Sequence, residues 1–276
     1  MKYPSINVYE HGILTKDDVT LKSLRLLATT KMPVYSGFNL TVVDDTGKSL
    51  NERAANLFHV NGPHTTADYF EKSDLRYCVL AILYHLNRLI DLYTENTQLF
   101  EETYPSGTTL KGNVWSPNVF YEIDAFLGAA RRVYESIRKV LWKHYQGRGT
   151  TGRWSSIRKV FTSPLNVPKS FLEILDKSWQ TIGVKLTDYR DCVAHYEPLT
   201  NGMTTCWLDR YEGRWGATVK LPANPEVQSR MAYDFDSGPE ALEYCHLVAC
   251  HLVDLCESLQ AEPTIRSYLD NPPKHP

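Results

Sequence analysis

The sequence predicts a mainly α-helical protein: a four-helix bundle with a small N-terminal α/β addition and a β-hairpin inserted between the last two helices. Three observations carry this. Four long segments each place apolar residues three and four apart, the spacing that puts them on one face of a helix. Segments rich in Pro, Gly and Ser separate them. Between the third and fourth, the apolar period shortens from about 3.6 to 2. Helices with one apolar stripe cannot bury it alone, and packing four of them around a shared core is the economical solution.

The N-terminal addition spans residues 1–62. Ile6 to Tyr9 and Val34 to Val43 alternate like strands, and Asp44-Asp45-Thr46-Gly47 closes the second as a turn. Thr15 to Asp18 and Ser49 to Glu52 each resemble a helix N-cap followed by an acidic residue three positions on. The bundle spans 63–265. Its first helix covers about 66–100, with Leu75, Val79, Ile82, Leu86, Leu89, Ile90 and Tyr93 as its stripe. Glu101 to Ser116 reads as a loop because it holds Pro105, Gly107 and Gly112.

Ser116 is placed to cap the second helix and Pro117 is preset for its first position. Phe120, Ile123, Leu127, Ala130, Tyr134, Ile137 and Leu141 form its stripe. Gln146 to Pro168 reads as a loop. The third helix begins near Pro168, with Ser170 and Glu173 spaced as a capping box, and stops before Pro198. Residues 201–236 hold the hairpin, Met203–Leu208 and Trp215–Leu221 about a turn at Glu212-Gly213, with Met231, Tyr233 and Phe235 as a third strand. The fourth helix opens at Ser237-Gly238-Pro239 and runs to about Gln260; Leu247 lies off its stripe and so implies burial on a second side. Residues 266–276 form a tail.

Composition is that of an ordinary globular chain, 42% hydrophobic and 22% charged with a net charge of -2. No global charge favours nucleic acid or membrane, so electrostatic arguments must be local. The N-terminus lacks the apolar run of a signal peptide and no stretch of about 18 apolar residues occurs, so a cytoplasmic protein without a membrane partner is expected. The six cysteines form no Cys-x-x-Cys pair and read as reduced, buried thiols.

The stretch Tyr189 to Tyr196 near the end of the third helix is where chemistry-bearing residues concentrate. With Tyr189 at zero on a wheel of about 100° per residue, the apolar stripe covers about -20° to 80°. Arg190 falls at about 100°, on the stripe's edge, and Asp191 and His195 at about 200° and 240°, on the opposite face. Tyr196 returns to the stripe and reads as core.

Arg190-Asp191-x-x-x-His195 resembles the Arg-polar-x3–5-His signature of the HEPN superfamily, a family of helical bundles that carries it toward the end of the third core helix. The resemblance covers about residues 66–260 and makes the fold a HEPN-like bundle. It implies a metal-independent endoribonuclease that leaves a 2′,3′-cyclic phosphate, with His195 shuttling a proton, Arg190 holding the scissile phosphate and Asp191 orienting His195 or touching the substrate. It also implies a homodimer in which two motifs face each other, and a toxin or antiphage-defence setting with a cognate antitoxin or regulatory protein. Active members most often carry asparagine where this chain has Asp191. The alternative is a non-catalytic HEPN module that binds RNA, a nucleotide or a protein partner.

A second feature is electrostatic. Residues 131–159 hold nine lysines and arginines against Glu135 alone. Arg131, Arg132, Arg138, Lys139, Lys143, Arg153 and Arg158 are the candidate RNA contacts, with Trp142, Tyr145 and Trp154 interleaved as stacking surfaces. No cofactor or metal is expected. His246, Cys250 and Asp254 share a helix edge but lack a distant fourth ligand. Gly147-x4-Gly152 is not a phosphate-binding loop, because Arg153-Trp154 replaces the required Lys-Ser/Thr pair. Glu122 and Asp124 lie in the first two turns of the second helix, where they either complement its dipole or serve the active site.

Overall fold

The computed structural model describes residues 9–10, 13–14, 42, 44, 46, 48–58, 75–103, 111–142, 145, 156–162, 166–195, 198–200, 205–211, 214–227 and 230–263. The protein is mainly helical with a small three-stranded antiparallel sheet. In chain order the elements are β1 (Tyr9–Glu10), β2 (Ile13–Leu14), α1 (Leu50–Ala55), α2 (Leu75–Thr103), β3 (Lys111–Trp115), α3 (Pro117–Leu141) and α4 (Ile157–Thr162). They continue with α5 (Lys169–Ser178), a π-helical turn (Trp179–Gly183), α6 (Val184–His195), β4 (Thr205–Tyr211), β5 (Arg214–Thr218), a 3-10 turn (Arg230–Ala232) and α7 (Ala241–Ala261).

The long helices share one core. The α2 helix packs most extensively on α3 and also on α7; α3 meets α6 and α7; α5 meets α7. The apolar stripes of the first two long helices supply part of this core through Ile82, Leu86, Leu89, Ile123, Leu127 and Ala130, and the later helices add buried Leu175, Leu186, Tyr189, Leu252 and Leu255. Leu247 is partly buried against it, the second contact implied by its off-stripe position. Residues 42–58 join the same core through Val42, Leu50, Ala54, Leu57 and Phe58, and α1 packs on α2 and α7. Ser49 caps α1 as expected, its side chain accepting from the Glu52 N–H at 3.2 Å. Arg53 pins the segment to α7 through Glu257 at 2.6 Å and Asp254 at 2.5 Å, while also bonding Asp44 at 2.6 Å. The cap expected at 15–18 and the tail at 266–276 lie outside the described residues, as does the strand expected at 34–43 apart from Val42.

Several local expectations are corrected. The third strand is β3, from a stretch read as loop. Its Val114 pairs with Cys206 and its Gly112 with Leu208, and β4 pairs in turn with β5, giving the order β3-β4-β5. Gly112 suits this position because the Phe100 ring lies where a Cβ would project, 2.2 Å away. The hairpin is therefore joined by β3, which follows α2 in sequence, instead of standing as an isolated insertion. Residues 230–235 form no strand, because the Asn224 side chain takes the Asp234 N–H at 2.7 Å and donates to the Ala232 carbonyl at 2.9 Å, closing the segment on itself. A short helix, α4, breaks the loop expected at 146–168.

Two caps also differ. Ser116 stands before Pro117 but makes no side-chain cap, since its Oγ accepts from Asn96 at 3.0 Å. Ser170 is inside its helix and donates to Glu262 at 2.9 Å. The fourth long helix starts later than expected, at Ala241, with Glu240 as its cap. That buried carboxylate accepts from the Glu243 N–H at 2.9 Å, the Tyr93 hydroxyl at 2.6 Å and the Val219 N–H at 3.2 Å. Three donors offset its removal from water and tie α2, α7 and the segment just after β5 together.

Gly238 closes this junction. A Cβ there would lie 1.8 Å from the Leu221 carbonyl oxygen, a fixed backbone atom. Gly238→Ala should therefore lower unfolding free energy by about 1–3 kcal/mol, the range for forced overpacking. Urea unfolding followed by circular dichroism measures it, and an unchanged midpoint would refute the close approach.

Candidate functional site

Arg190, Asp191 and His195 lie on α6, the regular end of a helical run that begins at Lys169. Tyr189 is fully buried and its hydroxyl donates to the Pro222 carbonyl at 2.7 Å, which fixes the rotation of α6. Beside it, Arg190 and Asp191 are half-exposed and His195 is exposed. The outward position expected for His195 agrees with its exposure, whereas Asp191, expected on the opposite face, is about as exposed as Arg190 at the stripe's edge. Arg190 Nη1 donates to Asp191 Oδ1 at 2.9 Å, so the acidic neighbour serves the arginine in this arrangement. Tyr196 lies outside the described residues.

Arg190 faces a groove of about 550 Å³ between α2 and α3. From α3 come Gly128, Arg131, Arg132 and Glu135, and from α2 come Tyr77, Ala81 and His85. His195 is not among the residues that line it. The groove thus collects Arg190 from the motif and two arginines from the basic segment, two features far apart in sequence.

The position of Arg131 has a structural cause. In the π turn, the Val184 N–H bonds the Trp179 carbonyl five residues back instead of four. The Trp179 ring lies over Gly183, so close that a Cβ there would approach it at 2.4 Å. The same indole stacks edge-on with Tyr134 at 5.2 Å and carries the Arg131 guanidinium 5.3 Å from its ring centre. Tyr134 is held in turn by the Ser178 Oγ at 2.8 Å, which also meets His251 Nε2 at 3.2 Å. Glu135 completes the cradle, at 2.8 Å from Arg131. Burial pulls the Arg131 guanidinium below the ordinary arginine value, and the adjoining Glu135 opposes that shift.

The candidate RNA contacts divide. Arg131 and Arg132 line the groove. Lys139 and Arg158 are exposed. Arg138 is corrected: it is 7% exposed and bonds Glu135 at 2.5 Å, so its charge is used inside the protein. One carboxylate between two arginines, at i-4 and i+3, draws both toward it. Lys143 and Arg153 lie outside the described residues, as does the Gly147–Gly152 stretch.

Glu122 and Asp124 are also corrected. Neither belongs to the first turn of α3, so dipole complementation does not explain them. Glu122 Oε1 meets His85 Nδ1 at 2.5 Å across the two helices. The sequence reading missed His85. Its signal was modest: a histidine on the border of the α2 stripe, with an acidic residue on the border of the next helix's stripe. Asp254 is drawn off by Arg53, and His246 is buried with its ring 3.6 Å from Cys250 Sγ. Among the described residues, no three His, Cys, Asp or Glu side chains are grouped as metal ligands, and no helix is long and apolar enough to cross a membrane. All six cysteines are buried thiols outside any disulfide.

No protein-family model, curated protein or solved structure matches this chain.

Asp124 is partly buried on α3 with no hydrogen-bond partner among the described residues, and burial pushes its carboxyl up to about 7. Between 3.8 and about 7 the folded protein holds a proton that the unfolded chain releases. Stability from this group therefore falls as pH rises through that window. Asp124→Asn should gain stability over wild type as pH rises, by at most about 1.4 kcal/mol per pH unit, and match it at lower pH. Thermal unfolding from pH 4 to 8 measures this; a gain that does not depend on pH would refute the buried-carboxyl account.

Proposed function

We propose that the protein is a HEPN-type endoribonuclease built on a four-helix bundle of α2, α3, the α5–α6 run and α7. The observation that carries this reading is the convergence of Arg190 with Arg131 and Arg132 on one groove, with His195 exposed at the end of the same helix. The groove offers the arginine forks that suit a phosphodiester, and the motif offers a proton-transferring imidazole.

In this reading the ribose 2′-oxygen attacks the adjacent phosphorus and the bond to the 5′-oxygen breaks. The 2′-OH proton passes to a base and the 5′-oxygen takes one from an acid, leaving a 2′,3′-cyclic phosphate and a 5′-hydroxyl. His195 performs one of these transfers. Arg190 neutralises the charge that grows on the phosphate oxygens. His195 does not line the groove that Arg190 faces, so the complete site draws on a second copy of the chain, as the resemblance implies. A toxin or antiphage-defence role, with an antitoxin or regulatory partner, rests on that resemblance alone.

The 2.9 Å bond from Arg190 to Asp191 favours a second reading, a module that binds RNA, a nucleotide or a protein partner without cleaving. Incubating the purified protein with RNA in EDTA separates the two. The ribonuclease should yield cyclic-phosphate ends, and His195→Ala should slow cleavage by about 10²- to 10⁴-fold with its circular dichroism spectrum unchanged. Cleavage that survives His195→Ala, or none by wild type on any RNA, sinks the enzymatic reading.

A further inference from the structure

The groove between α2 and α3 holds more than the motif requires. Its three arginines face His85, whose Nδ1 is bound to Glu122 at 2.5 Å. Such a pair fixes the ring's orientation and leaves Nε2 as the nitrogen available to a ligand. Gly128, on α3, lies in the groove wall, and a Cβ there would meet nothing within 4 Å. Glycine in a helix interior costs about 0.5–1 kcal/mol relative to alanine. No neighbour among the described residues requires that small residue, so the space it keeps open is space in the groove. Finally, α2 carries Tyr77 and Tyr84, 63% and 62% exposed, with Leu80 between them. Arg132 lies over the Tyr77 ring at 5.8 Å. Exposed aromatics beside a cationic groove are what unpaired bases stack on.

We propose that this groove is the binding site for a phosphate of single-stranded RNA, gripped by Arg131, Arg132 and Arg190 and contacted by His85, with an adjoining base stacked on Tyr77. The proposal rests on the RNA reading above and names where on the chain the strand lies. Two of the arginines are already prepared for an anion. Arg131 is oriented by Trp179 and Glu135. Among the described residues Arg190 is paired with its half-exposed neighbour Asp191, and pairs of that kind are weak enough for a phosphate to displace. Glu122 is a positioning residue that acts through the His85 ring.

A short 2′-O-methyl oligouridine tests the site without requiring cleavage, since it has no 2′-OH to attack. Titrated into protein with ¹⁵N-labelled histidine rings, it should move the signal that His85→Gln identifies as His85. Arg132→Ala and Gly128→Leu should each weaken binding by about 10-fold or more, while Gly128→Ala retains binding. Glu122→Ala should alter the His85 signal before ligand is added, and Glu122→Asp should restore its response. A His85 signal that stays still at saturation, or unchanged affinity in Gly128→Leu and Arg132→Ala, overturns the assignment. Inorganic phosphate binding as tightly as the oligomer also overturns it, by marking a site for the free anion. Wild-type protein that binds the oligomer through these residues yet cleaves no RNA upholds the groove and defeats the ribonuclease. Cleavage that depends on His195 but ignores both groove variants does the reverse.

Discussion

The contact between Trp179 and Gly183 is the constraint on which the groove depends. An indole cannot lie along its own helix unless the residue beneath it lacks a side chain, and the π turn supplies both the glycine and the widened backbone. From that position one ring meets Tyr134, Phe161 and Arg131, at 5.2, 5.9 and 5.3 Å. The indole therefore joins the α5–α6 run to α3 and α4, and also presents a π face to the guanidinium that Glu135 holds. The turn lies immediately before α6, so the backbone feature that orients Arg131 leads directly into the helix carrying Arg190.

Charge in this region is arranged with few residues. Glu135 lies between Arg131 and Arg138 and bonds both. Arg138 is thereby buried and braces α3, whereas Arg131 stays at the groove. Counting lysines and arginines along 131–159 overstated the available positive charge because it gave each residue equal exposure. What concentrates charge is convergence: Arg190 arrives from a different helix, and its approach cannot be read from local composition.

This division explains what the sequence made legible. Features set by a single helix were readable: the apolar stripes, the cap at Ser49, the outward face of His195 and the edge position of Arg190. Each follows from spacing along one regular element. Features set between elements were not. Residues 111–115 become a strand only because β4 offers them a partner, and Gly112, which suggested a loop, is there to admit Phe100. The His85–Glu122 bond joins residues 37 positions apart. Ser116 and Ser170 had the right spacing for caps, but tertiary partners, Asn96 and Glu262, claimed their hydroxyls. The π turn itself leaves no periodic trace, since the residues buried through it, Leu175, Trp179, Ile182 and Leu186, keep an ordinary helical spacing.

The placement of Arg190 and His195 bears on how the motif can act. Five positions apart on a helix, two side chains lie about 140° apart around its axis, so they cannot both point into one narrow groove on the same helix face. Arg190 faces the α2–α3 groove and His195 does not. On the proposed reading, a phosphate held by Arg190 in that groove lies beside His85 of the same chain, and His195 reaches it from elsewhere. In the ribonuclease proposed above, His195 is therefore the imidazole contributed from a second copy of the chain, while His85 positions the strand within the groove. With both side chains near 40% exposed, the Arg190–Asp191 pair costs at most about 1 kcal/mol to break, weak enough for the proposed phosphate to displace.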